Sequence, residues 1–156
     1  MPAHIASRRR LWLPLVVCCL AAAGCQYLGS LSTASSSAEP DPKNELPTGF
    51  VDSPPNGAGV GRQIQMYGWA VDDQGVKEVR VFVDGKYVAK TTVTVARPDV
   101  TKAQPQYAHG NDTHGWALTV TLGDVFQPGQ HTILAQAVDT QGATRDIGTI
   151  TVSVGP

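Results

Sequence analysis

The sequence predicts an all-β fold, an antiparallel β-sandwich of about seven strands, over residues 49–156. Short runs of alternating apolar and polar residues recur along this region, and turns rich in Gly, Asp, Asn and Pro separate them. No window places apolar residues at the i, i+3, i+4 spacing of a helix over three turns. Short strands at this turn spacing are typical of a two-sheet sandwich, and 108 residues suffice to bury a core.

The first long strand is predicted over residues 63–71. Successive side chains of a strand point to opposite faces. The aromatic residues Tyr67 and Trp69 are therefore expected on the same face of the strand, the outer one. The face expected to enter the core carries Ile64, Met66, Gly68 and Ala70.

A hairpin is predicted at Asp84-Gly85, which follows the alternating run 76–83. Asp-Gly favours a two-residue type I′ turn, because both central residues of that turn need positive φ. This turn would pair Val83 with Lys86, Phe82 with Tyr87 and Val81 with Val88.

Further strands are predicted in the second half of the domain. Apolar residues alternate over 116–122, 133–137 and 150–154, and turns at 127–130 and 140–142 separate these runs. One helical turn is also expected after Pro98, with Asp99 as its capping residue.

Residues 1–24 are predicted to be an export signal, not part of the fold. Three arginines, Arg8, Arg9 and Arg10, precede the apolar run 11–23, and small residues follow it. A membrane-spanning helix needs about 20 apolar residues, so the run is too short for a transmembrane anchor. The alternative to a lipoprotein signal is an ordinary secretory signal that is cut after residues 21–23.

The residues around Cys25 indicate which kind of signal this is. Ala22-Ala23-Gly24-Cys25 resembles the lipobox of bacterial lipoproteins, although Ala22 stands where leucine is usual. The resemblance implies that Cys25 is lipidated and becomes the first residue of the mature chain. Cys18 and Cys19 leave with the signal, so lipidation also accounts for the single mature cysteine.

Residues 25–48 are predicted to be the lipidated cysteine and a flexible linker. The segment is rich in Ser, Ala and Pro and cannot bury enough apolar surface to fold. Its reach as a flexible coil is about 25–30 Å. We therefore expect a membrane partner, held through the lipid anchor outside the cytoplasmic membrane. In a Gram-negative source, Gln26 after the cysteine implies the outer membrane.

The charge of the mature chain excludes one class of partner. Removing residues 1–24 takes away three of the twelve basic residues and none of the thirteen acidic ones. No basic stripe remains to contact a phosphate backbone, so nucleic acid is not an expected partner.

Several motifs of the domain occur in the order and spacing of a known family. They are Gly68-Trp69-Ala70-Val71-Asp72-Asp73, Val79-x-Val81-x-Val83-Asp84-Gly85, Ala96-Arg97-Pro98-Asp99-Val100 with Pro105 and Tyr107, Gly129-Gln130-His131-Thr132, and Ala137-Val138-Asp139-x-x-Gly142. Over residues 50–154 the chain thus resembles bacterial immunoglobulin-like (Ig-like) domains. The resemblance implies a non-catalytic extracellular module that serves as a spacer or in adhesion and recognition.

The first candidate binding site consists of Tyr67, Trp69 and Arg97. An aromatic ring on an outer face can serve as a stacking platform for a sugar ring. The alternative is that residues 92–114 fold back over Trp69, with the Arg97 guanidinium stacked on its ring.

The second candidate is a calcium site formed by Asp72, Asp73 and Asp139. All three lie at strand ends that are expected to share one pole of the sandwich, and calcium takes six to eight oxygen ligands. The alternative is that they are ordinary turn residues, whose carboxylates accept hydrogen bonds from nearby backbone amides.

A third group, His109, Asp112 and His114, contains zinc-ligating residue types but is predicted to be an exposed polar loop. No catalytic motif is found, so no enzyme activity and no cofactor are expected. The expected function is that of a membrane-anchored lipoprotein that presents a non-catalytic Ig-like module for protein interaction or spacing at the cell envelope. The alternative is a carbohydrate-binding or calcium-dependent adhesion module, with a glycan as partner.

Overall fold

The computed structural model describes residues 42–108 and 110–156, which form nine strands, one short α-helix and one 3-10 turn. The strands are β1 Thr48–Ser53, β2 Ala58–Val60, β3 Gln63–Val71, β4 Val76–Val83, β5 Lys86–Thr91, β6 Val95–Ala96, β7 Thr113–Thr121, β8 Gly129–Asp139 and β9 Thr144–Val154. The helix α1 spans Pro98–Ala103, and the 3-10 turn spans Pro105–Tyr107. The predicted signal, Cys25 and the linker as far as residue 41 lie outside the described residues.

Two sheets form the sandwich, so the predicted all-β fold class is confirmed. The four-stranded sheet has the order β1-β3-β7-β6, and the five-stranded sheet has the order β2-β9-β8-β4-β5. The strand pairs are antiparallel, apart from β2, which runs parallel to β9. None of the helices in the described part of the chain is long and apolar enough to span a membrane.

The core lies between the sheets and follows the predicted alternation. Ile64, Met66 and Ala70 of β3 are at most 2% exposed. Trp116 of β7 is fully buried opposite Gly68, where a Cβ atom would come within 2.7 Å of its ring carbon Cζ2. Gly68 therefore leaves the space that the indole ring occupies, and Trp116 is the largest fully buried side chain in the described core.

The β4–β5 hairpin has the predicted turn. Asp84 and Gly85 have φ values of 49° and 76°, as a type I′ turn requires. The predicted pairs Val83–Lys86 and Phe82–Tyr87 are confirmed.

The third predicted pair of this hairpin is wrong, because a bulge between Val81 and Phe82 pairs Val81 with Ala89 in place of Val88. An unbroken register would turn the Lys90 side chain toward the core. The bulge instead places Lys90 opposite Arg80 on the outer face, where its ammonium lies 2.8 Å from a Glu78 carboxylate oxygen. Keeping this charge in water accounts for the shift.

The folded part of the chain includes the end of the segment assigned to the linker. Pro47 is less than 2% exposed, and Thr48 already belongs to β1. Further back, the Asn44 amide donates a 2.6 Å hydrogen bond to Asp139 at the end of β8.

Candidate functional site

The outer face of the four-stranded sheet carries an exposed apolar patch, here named the aromatic surface and defined as Phe50, Tyr67, Trp69 and Val95. The alternation of β3 places Tyr67 and Trp69 on this face, as predicted. Strand β1 adds Phe50 directly opposite Trp69. Phe50 is 56% exposed, Tyr67 is 52% exposed and Val95 is 42% exposed. Apolar side chains exposed together in this way are typical of interaction sites.

Phe50 was missed from the sequence because β1 was not recognised. The signal was present, since Phe50 points out and Val51 points in, where it is 5% exposed. That alternation extends over few residues before Pro54 interrupts it, so it was too short to be distinguished from a loop.

Trp69 is half-buried, a result between the two alternatives that the sequence left open. Its neighbour on β7 is Gly115, which pairs in turn with Val95 of β6. A Cβ atom on Gly115 would lie 2.8 Å from Cγ of Arg97 and 2.9 Å from Cβ of Val95. The segment 92–114 therefore packs beside Trp69 without enclosing the aromatic surface.

Among the described residues Arg97 makes no cation–π contact with Trp69, so this part of the second alternative is wrong. Its guanidinium instead bridges two carboxylates, with Nη1 donating to Asp52 at 2.6 Å and Nε and Nη2 donating to Asp99 at 2.9 and 2.7 Å. The hydrogen bonds from Arg97 lower the pKa of Asp99 to about 2. The Arg97 guanidinium pairs with the carboxylates and not with the Trp69 ring, because a bidentate charge-assisted pair is stronger than a cation–π contact. Arg97 thus links β1 to the segment 92–114 at the rim of the aromatic surface.

The predicted helical turn after Pro98 is present as α1, but Asp99 does not cap it. With Pro98 in the first turn, Arg97 takes the N-cap position, and no side chain makes a capping hydrogen bond. Asp99 lies in the first turn of the helix and is held by Arg97.

The predicted acidic pole brings Asp72 and Asp139 together, and both are buried. One oxygen of Asp72 accepts the amide of Gln74 at 2.9 Å. One oxygen of Asp139 accepts two amides, from Gln141 and Ala143, each at 2.8 Å. These are the bonds that turn-forming aspartates make.

Burial and charge act together on this pole. Burial raises the pKa of Asp72, the hydrogen bond from Gln74 opposes that rise, and the nearby carboxylates of Asp139 and Asp73 add to it. Within residues 42–108 and 110–156, no group of three or more His, Cys, Asp or Glu side chains is arranged to hold a metal ion. Calcium binding by Asp72, Asp73 and Asp139 stays a prediction.

The histidine-containing loop is only partly exposed. Asp112 is exposed, as predicted, whereas His114 is 6% exposed, because it lies at the start of β7 with its side chain directed inward. The prediction of an exposed loop is therefore wrong for His114. His109, the third residue of this group, lies outside the described residues.

A cleft of about 440 Å³ opens at one edge of the sandwich, between β1 and β9, and is named the β1–β9 cleft. Its lining comprises Phe50, Val51, Asp52, Pro54, Pro55, Asn56, Gly148, Thr149 and Ile150. Phe50 belongs to both the cleft and the aromatic surface, so the two are continuous. Sequence reasoning missed the cleft because it depends on the approach of two strands that lie far apart in the chain.

Comparisons with known proteins give one matching family and two similar solved structures. A family model described as a bacterial Ig domain matches residues 47–135. Fibronectin(III)-like modules of Clostridium thermocellum CbhA are 16% identical with a TM-score of 0.44, and the match covers 70% of this chain and 46% of that chain. A Jonesia denitrificans lytic polysaccharide monooxygenase is 15% identical with a TM-score of 0.43, and the match covers 64% and 58%. The chain thus spans about half the length of these structures. No curated protein matches it.

Proposed function

The chain belongs to the family of bacterial Ig domains, and from that premise we propose that it is a lipid-anchored protein of the cell envelope whose non-catalytic Ig-like domain binds a partner protein through the aromatic surface. The observation that carries the proposal is the exposure of Phe50 and Tyr67 beside the half-buried Trp69 on one sheet face. Tyr and Trp are enriched among the residues that dominate binding energy at protein interfaces. A half-buried Trp is also held in place by its neighbours, which lowers the entropy lost on binding.

The rim of the aromatic surface supports a specific contact. Arg97 and its two carboxylate partners form a polar border beside Val95 and Gly115. An apolar centre with a polar rim is the usual anatomy of a protein interface. The ion pair with Asp52 also ties β1 to the segment 92–114 at this rim.

The anchor is proposed from Cys25 and its lipobox-like residues. One acyl chain holds a protein on a membrane only marginally, so stable attachment needs the two or three chains that a mature lipoprotein cysteine carries. The linker that follows would hold the aromatic surface within reach of partners close to the membrane. Cys25→Ala should release the protein from the membrane fraction, and a variant that stays membrane-bound would contradict the anchor.

The partner-binding proposal is tested in cells with the full chain. A photo-crosslinking amino acid replaces Tyr67 in one variant and Val125 in a control, because Val125 is 70% exposed and lies on the β7–β8 loop, which contributes no residue to the aromatic surface. We expect a discrete protein adduct at position 67 that is absent at position 125. Mass spectrometry identifies the crosslinked protein. Equal adducts at both positions, or none at position 67, would contradict the proposal.

A second function, carbohydrate binding, is favoured by the exposed ring of Tyr67 next to Trp69, since flat aromatic faces stack on sugar rings. Pull-down with purified peptidoglycan separates the two functions. Retention that is lost in Tyr67→Ala supports the glycan, and retention that also needs calcium supports the adhesion module.

A further inference from the structure

The β1–β9 cleft exposes a stretch of sheet edge that no strand of the described chain covers. Strand β2 pairs with β9 only at Val152, Ser153 and Val154. Just before these pairs, the N–H of Thr151 donates to the Asn56 side chain at 2.8 Å, and its C=O accepts the N–H of Gly57 at 2.7 Å. Both backbone groups of Thr151 thus point away from β8, toward the open edge.

The same direction follows for Thr149. Opposite Thr151, Thr132 of β8 turns its own N–H and C=O to Asp84 on the far side, so this is a non-hydrogen-bonded pair of the antiparallel ladder. Such pairs recur at every second residue, and Thr149 lies two residues before Thr151, opposite Leu134. The N–H and C=O of Thr149 therefore point into the cleft. Among the described residues no strand pairs with Thr149 on this side.

Two prolines leave this edge open. If the chain before Gly57 continued along β9, Pro54 and Pro55 would lie beside Thr149. Proline has no N–H to donate to a neighbouring strand. The chain instead crosses from one sheet to the other here, and Pro54 and Pro55 become walls of the cleft.

We propose that the β1–β9 cleft receives an extended peptide segment of the partner protein, which pairs with the N–H and C=O of Thr149 and places an apolar side chain against Phe50 and Pro54. The inference rests on the proposed function, since it assumes a protein partner. An exposed donor and acceptor on one residue of a sheet edge match the two groups that an extended chain offers, and side-chain pockets along such an edge supply selectivity. Continuity through Phe50 lets the same partner lie on the aromatic surface.

The probe is a phage-displayed library of random twelve-residue peptides, selected on the immobilised full chain. Thr149→Pro removes the N–H that points into the cleft and places the proline ring there, but it takes no hydrogen bond from the ladder with β8, because the backbone groups of Thr149 face away from β8. Thr149→Ala keeps that N–H and is the matched control. We expect selected peptides with apolar residues at alternate positions. They should bind Thr149→Pro at least about tenfold more weakly than Thr149→Ala, because the proline variant loses one hydrogen bond and its ring clashes with the peptide.

Thermal melting of both variants shows whether they are folded. Peptides that bind a folded Thr149→Pro variant as tightly as wild type would overturn the proposal, as would a selection that yields no binder. A wild-type dimer in sedimentation that dissociates in Thr149→Pro would show that a second copy occupies the cleft, which also overturns it. Peptide binding that fails while Tyr67 still crosslinks a protein would refute only the cleft. Crosslinking that fails while peptides bind would refute only the aromatic surface.

Discussion

The outer faces of the two sheets carry similar residues, but these residues differ in the contacts they make with their neighbours. On the five-stranded sheet, Glu78 accepts bonds from Arg80 at 2.7 Å and Lys90 at 2.8 Å, and Tyr87 meets Phe82 edge to face with ring centroids 5.8 Å apart. On the four-stranded sheet, Tyr67 is about as exposed as Tyr87, at 52% against 55%, yet no ring of the described chain contacts it in this way.

Exposure alone therefore does not identify a binding surface. Tyr87 is explained by its pairing across the hairpin, because cross-strand aromatic pairs stabilise a sheet. Phe50, Tyr67 and Trp69 have no comparable explanation within the described fold, and that difference is why the aromatic surface carries the functional proposal.

The largest expected effect comes from removing the support of the aromatic surface. Gly68→Ala places a Cβ atom within 2.7 Å of the Trp116 ring and against the Phe50 carbonyl oxygen. Overpacking of a buried site costs about 1–3 kcal/mol. Because the added carbon meets both a backbone oxygen and a buried ring, neither of which can easily move, we expect the free energy of unfolding measured in urea to fall by about 3 kcal/mol. Gly59→Ala is the control, because nothing lies within 4 Å of its added carbon, and its stability should change by less than about 0.5 kcal/mol. Equal losses in both variants would contradict the packing argument.

The second prediction breaks the comparison between the two tyrosines. Tyr67→Ala should weaken partner binding at least about tenfold, the scale of an interface hot spot, with little change in melting temperature. Tyr87→Ala should leave binding intact and lose about 0.5–1.5 kcal/mol of stability with its ring contact. Binding titrations and urea unfolding of both variants check this. If the two variants exchanged these effects, the functional surface would lie on the five-stranded sheet.

The sequence predicts features that depend on neighbouring residues better than features that depend on residues far apart in the chain. Strands β3 and β4 have the predicted bounds, since nine and eight residues are enough to show alternation. Strands β2 and β6, with three and two residues, are too short for any period. The contacts of Arg97 show most clearly what the sequence alone does not predict. Its choice of carboxylates over the Trp69 ring depends on Asp52, whose position is known only once β1 is placed beside β3.

The third prediction concerns pH and the five-stranded sheet. His131 Nδ1 lies 2.6 Å from Asp84 Oδ2 and Nε2 lies 2.6 Å from the Gln127 carbonyl, so both nitrogens face acceptors and the doubly protonated ring satisfies both. The hydrogen bond with Asp84 raises the pKa of His131 above 6.5 and lowers the pKa of Asp84 below 3.8.

The His131 contribution is therefore complete below pH 6.5 and is lost as pH rises through the higher folded-state pKa. The Asp84 contribution is complete above pH 3.8 and is lost at lower pH. Urea unfolding should show lower stability at pH 8.5 than at pH 5.5, by up to about 1 kcal/mol as for ion pairs near a surface. His131→Gln should remove most of this difference. A variant with the wild-type difference would assign it to another group.

The smallest expected effect is that of calcium on the acidic pole, which joins the end of β3 to the end of β8. One oxygen each of Asp72 and Asp139 already accepts hydrogen bonds from backbone amides, and Asn44 donates to the other oxygen of Asp139. Calcium would have to displace such bonds before it gained six oxygen ligands. We therefore expect the melting temperature to be unchanged within error by millimolar calcium or by a chelator, measured by calorimetry on the full chain. A rise with calcium that is lost in Asp73→Asn, whose side chain is the least committed to the turn, would revive the adhesion module and move part of the function from the aromatic surface to the pole.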